Sequence, residues 1–200
     1  KKYDQAVSIY KKKIDLYPDD AYWARYFVAW DAYSRTNQPD EAFAILTEAP
    51  FNPISGNDRD QLFRMYVLLA RLYNYRGDYA QARSAAEKAL EVVPAHFKDD
   101  YNIAIANIIL GVLSGRANDF SRMEKYIHDA EQINEKVGSL QCYIADGYFL
   151  GGDLNKAIEV GKNNFTIDGN KYNNAYCLLA VGYSYFDQKD FANAKKYFTD

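Results

Sequence analysis

The sequence predicts an all-α protein in which antiparallel helix pairs stack into a right-handed superhelical solenoid. Two observations support this prediction. A short motif that joins Asp, an aromatic residue or Leu, and a small residue returns in related form six times in the 200 residues. Around each motif, apolar residues recur at offsets of three and four, the spacing that places them on one face of a helix. Such repetition indicates stacked units of two helices joined by a turn.

The period of the repeat follows from the last residue of each motif. These residues are Ala6, Ala42, Ala82, Met123, Ala157 and Ala194. Neighbouring copies are therefore between 34 and 41 residues apart. The apolar stripe before each motif predicts a first helix, helix A, and the stripe after it predicts a second, helix B.

A polar turn joins the two predicted helices of each pair. Four of these turns are Arg76-Gly77-Asp78, Ala117-Asn118-Asp119, Gly151-Gly152-Asp153 and Gln188-Lys189-Asp190. Gly and Asn tolerate the left-handed backbone that ends a helix, and an Asp side chain can cap the helix that follows. We therefore expect each Asp to start helix B.

One copy of the repeat carries most features of a known family. Between Phe63 and Pro94, large side chains, small side chains and a closing Pro fall at regular positions, namely Tyr66, Leu69, Ala70, Tyr73, Gly77, Ala82, Ala86, Ala89 and Pro94. This segment resembles the tetratricopeptide repeat, and the resemblance extends over nearly the whole chain. It implies an interaction scaffold whose A helices line a concave groove. Small residues such as Gly111 and Gly182 are expected where helices A and B approach most closely.

Two positions depart from the family pattern. Trp30 and Met123 stand where the repeat has small residues. We expect the packing around these two side chains to be looser or shifted in register.

The motif positions predict a single array that fills the chain. We expect a half repeat at 1–18, full repeats at about 21–54, 61–96, 101–135 and 138–170, and a truncated repeat at 174–200. The chain starts without Met and ends inside a helical pattern, so we expect a fragment of a longer protein.

Composition and motifs argue against several function classes. The 24 Lys and Arg face 27 Asp and Glu, which leaves no cationic surplus for nucleic acid. Apolar runs such as Ile103 to Leu113 are shorter than the roughly 20 residues of a membrane span. The chain lacks phosphate-binding loops, nucleophile elbows and zinc motifs, so we expect no enzyme, no metal and no cofactor.

Cys142 and Cys177 are the only two cysteines. Both lie in apolar helical settings, and we interpret them as reduced core residues. This interpretation favours a cytoplasmic location.

The exposed side of the predicted A helices is the candidate binding surface. By position in the repeat, it should show Asp31, Arg35, Arg64, Val67, Arg71, Asn74, Tyr75, Ile108, Val112, Arg116, Asp146, Phe149, Tyr176, Leu179, Tyr183 and Phe186. We expect eight of them to contact a partner: Arg35, Arg64, Arg71, Asn74, Tyr75, Arg116, Tyr183 and Phe186. The early part is rich in Arg, which binds carboxylates, and the late part is aromatic, which favours an apolar or helical segment.

These features predict a non-catalytic scaffold that binds a peptide or a partner domain, with an acidic partner favoured. In one alternative, the chain is an intramolecular sensor or regulatory region of a larger signalling protein or transcription regulator. In another, it is an enzyme on a helical-repeat frame. The arginines would be structural if they paired with local acids. Self-association through an apolar C-terminal end at Phe191, Tyr197 and Phe198 is a further prediction.

Overall fold

The architecture is entirely helical in the part of the chain that the computed structural model describes, residues 2–17, 22–48, 58–93, 100–137, 140–164 and 171–199. These residues form eleven α-helices and no strand, which confirms the predicted all-α repeat fold. The helices are α1 (Lys2–Leu16), α2 (Tyr22–Ser34), α3 (Pro39–Thr47), α4 (Asp58–Tyr75), α5 (Tyr79–Val92), α6 (Asp100–Arg116), α7 (Phe120–Val137), α8 (Gln141–Gly151), α9 (Leu154–Asn164), α10 (Lys171–Asp187) and α11 (Phe191–Thr199). None of these helices has the length and apolarity needed to cross a bilayer.

The chain divides into two compact units, Lys1–Lys98 (unit 1) and Asp99–Asp200 (unit 2). In unit 1, α2 pairs with α3 and α4 with α5, while α1 packs against α2. In unit 2, the pairs are α6 with α7, α8 with α9, and α10 with α11. The first helix of each pair is an A helix, and A helices of successive pairs also touch within a unit. The boundaries of the repeats and their union in one array stay predictions.

Small residues mark the places where paired helices touch. Ala42, Ala82, Ala157 and Ala194 are all buried. A side chain at Gly111 would lie 2.8 Å from the Ile127 side chain. Gly182 likewise faces the ring of Phe198 across the α10–α11 pair. The steric need for small residues is thereby confirmed at these positions.

Met123 is packed tightly, contrary to the expected loose packing. Its side chain is fully buried. A β-carbon added at Gly151 would lie 2.6 Å from its sulfur, and one added at Gly115 would collide with the backbone of Gly151. Helices α6 and α8 therefore meet through two glycines, and the space beside Gly151 accepts the longer side chain of Met123.

In four of the helix pairs, an Asp at the end of the connecting turn caps the B helix, as predicted. The carboxylates of Asp78, Asp119, Asp153 and Asp190 each accept a hydrogen bond from the backbone N–H three residues later, at 3.1 to 3.2 Å. The residue before each Asp has positive φ; these residues are Gly77, Asn118, Gly152 and Lys189. The Asp N–H also donates to a carbonyl five residues earlier, in the A helix. This bonding fixes the register between the two helices of a pair.

The loop that a backbone hydrogen bond closes between α2 and α3 is one residue longer than the corresponding loop in the other four pairs. Here the N–H of Gln38 donates to the carbonyl of Ala32, six residues earlier, at 2.7 Å. Helix α2 is therefore shifted by one residue relative to the other A helices. Ala29 is fully buried, and Trp30 is only half-buried. The shift in register expected at Trp30 is confirmed.

Cys142 and Cys177 form a disulfide between α8 and α10, so the reduced interpretation is wrong. Both residues are buried, as expected of core positions. Successive A helices pack side by side, and residues 35 apart in sequence come together with Cα atoms separated by 4.5 Å. The argument for a cytoplasmic location rested on free thiols and no longer applies.

Gly115→Ala should destabilise unit 2. Alanine favours a helix by about 1 kcal/mol over glycine, but overpacking against a backbone carbonyl costs about 1 to 3 kcal/mol, so the free energy of unfolding should fall. Thermal unfolding followed by circular dichroism measures the change. Ser121→Ala, at an exposed site on α7, is the control. Equal stability of the two variants would contradict the close α6–α8 contact.

The disulfide should form on refolding in a glutathione redox buffer. The refolded chain should then show no free thiol when unfolded, and its mass should be lower by two hydrogen atoms. Closing a loop between residues 35 apart should stabilise the protein by about 4 kcal/mol, which reduction should remove. Urea unfolding with and without reductant measures this loss. The control is the double variant Cys142→Ala, Cys177→Ala, whose free energy of unfolding should not change with reductant. Two free thiols in the refolded wild type would contradict the disulfide.

Candidate functional site

An aromatic stripe covers the outer face of α2 in unit 1. It consists of Trp23, Tyr26, Trp30 and Tyr33, spaced three or four residues apart. Rings of successive members lie 6.1 to 6.4 Å apart, and Trp23 is 44% exposed. The one-residue shift of α2 brings these rings to the face where Asp31 and Arg35 were expected. The sequence signal that could have revealed them is the spacing of the four aromatics.

Arg71 of α4 lies against this stripe. Its guanidinium carbon is 5.8 Å from the centre of the Trp30 ring, within range of a cation–π interaction. Its Nη2 is shielded from water and has no hydrogen-bond partner in the described part of the chain. The side-chain oxygen of Asn74, one turn later, is likewise buried and unpartnered. Trp30, Arg71 and Asn74 together are called the Trp30–Arg71 site.

The other predicted residues of α4 flank this site. Arg64 lies two turns before Arg71 and is half-buried, and Tyr75 is 71% exposed at the end of the helix. The structure thus places four of the predicted contact residues, Arg64, Arg71, Asn74 and Tyr75, on one helix.

Arg35 lies elsewhere. Its Nε donates to a carboxylate oxygen of Asp31 at 2.6 Å, and its Nη2 reaches the other oxygen at 3.3 Å. Asp31 is buried, and the pair borders a cavity of about 200 Å³ between α1, α2 and α3, which Lys11 and Glu41 also line. Arg35 therefore pairs with a local acid, as the structural alternative predicted. Helix α2 turns by about 100° per residue, so Asp31 points away from the Trp30 face.

Some residues expected on the binding surface are core residues. Val67, Ile108 and Val112 are all buried. An outward position in the repeat does not guarantee exposure where neighbouring A helices pack closely.

The remaining predicted contact residues belong to unit 2. Arg116 is exposed at the end of α6. Tyr183 is 46% exposed and stacks on Phe149 of α8 with ring centres 5.7 Å apart, whereas Phe186 contacts Phe191 of α11 at 5.5 Å. Tyr183 therefore lies in a row that crosses two A helices, and Phe186 covers the neighbouring B helix.

Asp146 stands on α8, three residues after Tyr143 and three before Phe149, and it is half-buried. Burial raises its pKa from 3.8 to about 6. No cation or hydrogen-bond donor contributes to this shift, and within the described residues its carboxylate has neither an ion pair nor a hydrogen bond. Ionised Asp146 is thus less stable than it would be in water.

The described residues offer no cluster of three or more His, Cys, Asp and Glu side chains that could hold a metal ion. Glu124 and His128, which share a face of α7, have other partners. The carboxylate of Glu124 accepts a hydrogen bond from Lys156 at 2.7 Å, which holds the pKa of that carboxyl below its ordinary value. His128 lies 3.0 Å from the amide of Gln132.

Comparison with known proteins agrees with the repeat architecture. Residues 63–96 and 175–200 match the family model of the tetratricopeptide repeat, which confirms the resemblance seen in the sequence. Such repeats generally mediate protein–protein interactions and are typically non-catalytic. No curated protein sequence matches the chain significantly.

The fold is similar to that in the crystal structure of BtubC (BKLC) from P. vanneervenii. The TM-score is 0.57 at 17% sequence identity, with 98% of this chain and 85% of that chain covered. At this identity the likeness concerns the fold alone.

Asp146 should make stability fall as the pH rises from about 4 to about 6. Between the unfolded-state pKa of 3.8 and the folded-state pKa of about 6, the folded protein binds up to one proton more than the unfolded chain, so the free energy of unfolding decreases by about 2 kcal/mol from pH 4 to pH 6. Asp146→Asn should flatten this part of the profile and be more stable than the wild type at neutral pH. Urea unfolding at several pH values measures both effects. The control is Glu159→Gln on an exposed face of α9. If Asp146→Asn kept the wild-type dependence of stability on pH, the raised pKa of Asp146 would be contradicted.

Proposed function

We propose that this chain is a non-catalytic scaffold and that the A-helix face of unit 1 binds a carboxylate group of a protein partner. The observation that carries the proposal is the state of Arg71. Its guanidinium rests near Trp30, and no acid of the described residues pairs with it.

A carboxylate would satisfy the Nη2 donor of Arg71, which the described part of the protein leaves unpartnered. An unpaired buried donor costs about 1 to 3 kcal/mol, and a charge-assisted hydrogen bond to a carboxylate removes that cost. The Trp30 ring, 5.8 Å from the guanidinium carbon, attracts its positive charge without using any of its N–H donors. Binding requires the guanidinium to turn on this ring so that its Nη groups meet the carboxylate.

The exposed rings of α2 supply the apolar part of the same surface. Trp23 and Tyr33 extend the stripe on either side of Trp30. Aromatic side chains are enriched in binding surfaces because they bury large area with few rotatable bonds. The favoured partner segment therefore carries an acidic residue flanked by apolar side chains.

Arg71→Glu should abolish the preference for acidic peptides. A random peptide library displayed on phage, selected on the wild-type chain, should be enriched in Asp, Glu or a free terminal carboxylate. Peptides from that selection should bind the variant at least about ten-fold more weakly, because one charge-assisted contact is worth about 1.5 to 3 kcal/mol. Fluorescence anisotropy measures their affinities.

Lys88→Glu makes the same charge change at an exposed position of α5 and should leave binding intact. A selection without acidic enrichment, or equal affinities for the Arg71→Glu and wild-type chains, would refute the proposal. Light scattering of the chain without peptide separates peptide capture from the predicted self-association.

A further inference from the structure

Asp146 of unit 2 carries an unpaired carboxylate that has no part in the carboxylate-binding site proposed for unit 1. It is a half-buried acid on α8, and it has neither an ion pair nor a hydrogen bond within the described residues. Proteins rarely bury a carboxylate without a partner, since the lost hydration is not recovered. Replacing it with a neutral residue would make the fold more stable, so its presence calls for a role outside the stability of the chain.

Two ring pairs lie one helical turn on either side of Asp146. Tyr143 of α8 packs against Tyr176 of α10, with ring centres 4.8 Å apart. On the other side, Phe149 of α8 stacks on Tyr183 of α10 at 5.7 Å. Residues three apart on a helix are neighbours on its surface, so Asp146 stands between Tyr143 and Phe149 on the surface of α8.

The rings on α10 are open to solvent. Tyr176 is 41% exposed and Tyr183 is 46% exposed, and Leu179 between them is 42% exposed. A ligand can therefore reach these side chains without unfolding the helix pair. The disulfide between Cys142 and Cys177 joins the two helices that carry the rings, which holds the rings in place.

We propose that Asp146 and the rings of Tyr143, Phe149, Tyr176 and Tyr183 form a site for a cationic side chain, lysine or arginine, of a peptide partner. The carboxylate supplies the opposite charge, and the ring faces attract the cation through their quadrupoles. The methylene stem of the ligand covers the apolar surface at Leu179. These five residues are called the Asp146 site.

Charge complementarity selects this ligand over others. An acidic segment would be repelled by the carboxylate, and an apolar segment would bury it further without a partner. A metal ion would need more oxygen or nitrogen ligands than this one acid supplies, and no ligand cluster occurs among the described residues. The site lies in unit 2 and prefers the opposite charge to the Trp30–Arg71 site, so neither proposal depends on the other.

The test uses small probes that carry only the proposed ligand group. The N-acetyl methylamides of lysine, arginine and norleucine are titrated into the full chain, and NMR follows the ring signals of Tyr143, Tyr176 and Tyr183. The lysine and arginine probes should produce saturable shifts, and norleucine, which has a similar length and no charge, should bind at least about ten-fold more weakly.

Two variants and one control complete the experiment. Asp146→Asn should lower the affinity for the charged probes by about ten-fold or more, and thermal unfolding of the variant checks that it is folded. Tyr183→Leu, which keeps an apolar group but removes a ring, should lower this affinity by a smaller factor. Glu159→Gln removes an exposed carboxylate of α9 and should have no effect.

Three outcomes would overturn the proposal. They are the absence of saturable shifts with lysine and arginine, equal binding of norleucine, and unchanged binding by Asp146→Asn. Each of these would leave the carboxylate site of unit 1 untouched, because that site is tested with different peptides and a different variant.

Discussion

The register between the two helices of each pair depends on a single turn, in which a backbone N–H bonds back to the end of the A helix. In four pairs this bond spans five residues, and an Asp caps the next helix. The bond fixes how far the A helix is rotated against its partner. That rotation decides which side chains are buried and which face outward. Both candidate sites follow from this constraint, because each is built from outward positions of A helices.

The α2–α3 turn shows the effect of changing the constraint. One more residue lies within the bonded loop, so α2 is rotated by about 100° relative to the family pattern. Ala29 then takes the small position against α3, and Trp30 moves outward to meet Arg71. Because of this single extra residue, the large side chain of Trp30 lies in the proposed carboxylate site and not between paired helices. Met123 is a different case, since its bulk is accepted beside Gly151 without a change of register.

Much of the fold could be predicted from sequence because it depends on local rules. Helical periodicity, Asp caps and small residues such as Gly182 act over a few positions, and they were recognisable in the chain. The sites were harder to predict. Arg71 and Asn74 followed from their places in the repeat, but the partner ring of Trp30 depended on the length of one turn. Asp146 was placed on the surface by position, but the structure leaves it only half-exposed, which the repeat pattern alone does not predict. The pairing of Cys142 with Cys177 also required the distance between neighbouring A helices.

The bond between Cys142 and Cys177 also bears on how unit 2 responds to mechanical load. In a stack of helix pairs, bending and stretching are shared among the contacts between successive pairs. A covalent link between α8 and α10 removes sliding at one of these contacts. No disulfide crosses the contact of α6 with α8, where the backbones of Gly115 and Gly151 approach closely. Sliding between successive A helices of unit 2 is therefore covalently restrained between α8 and α10 and restrained by packing alone between α6 and α8.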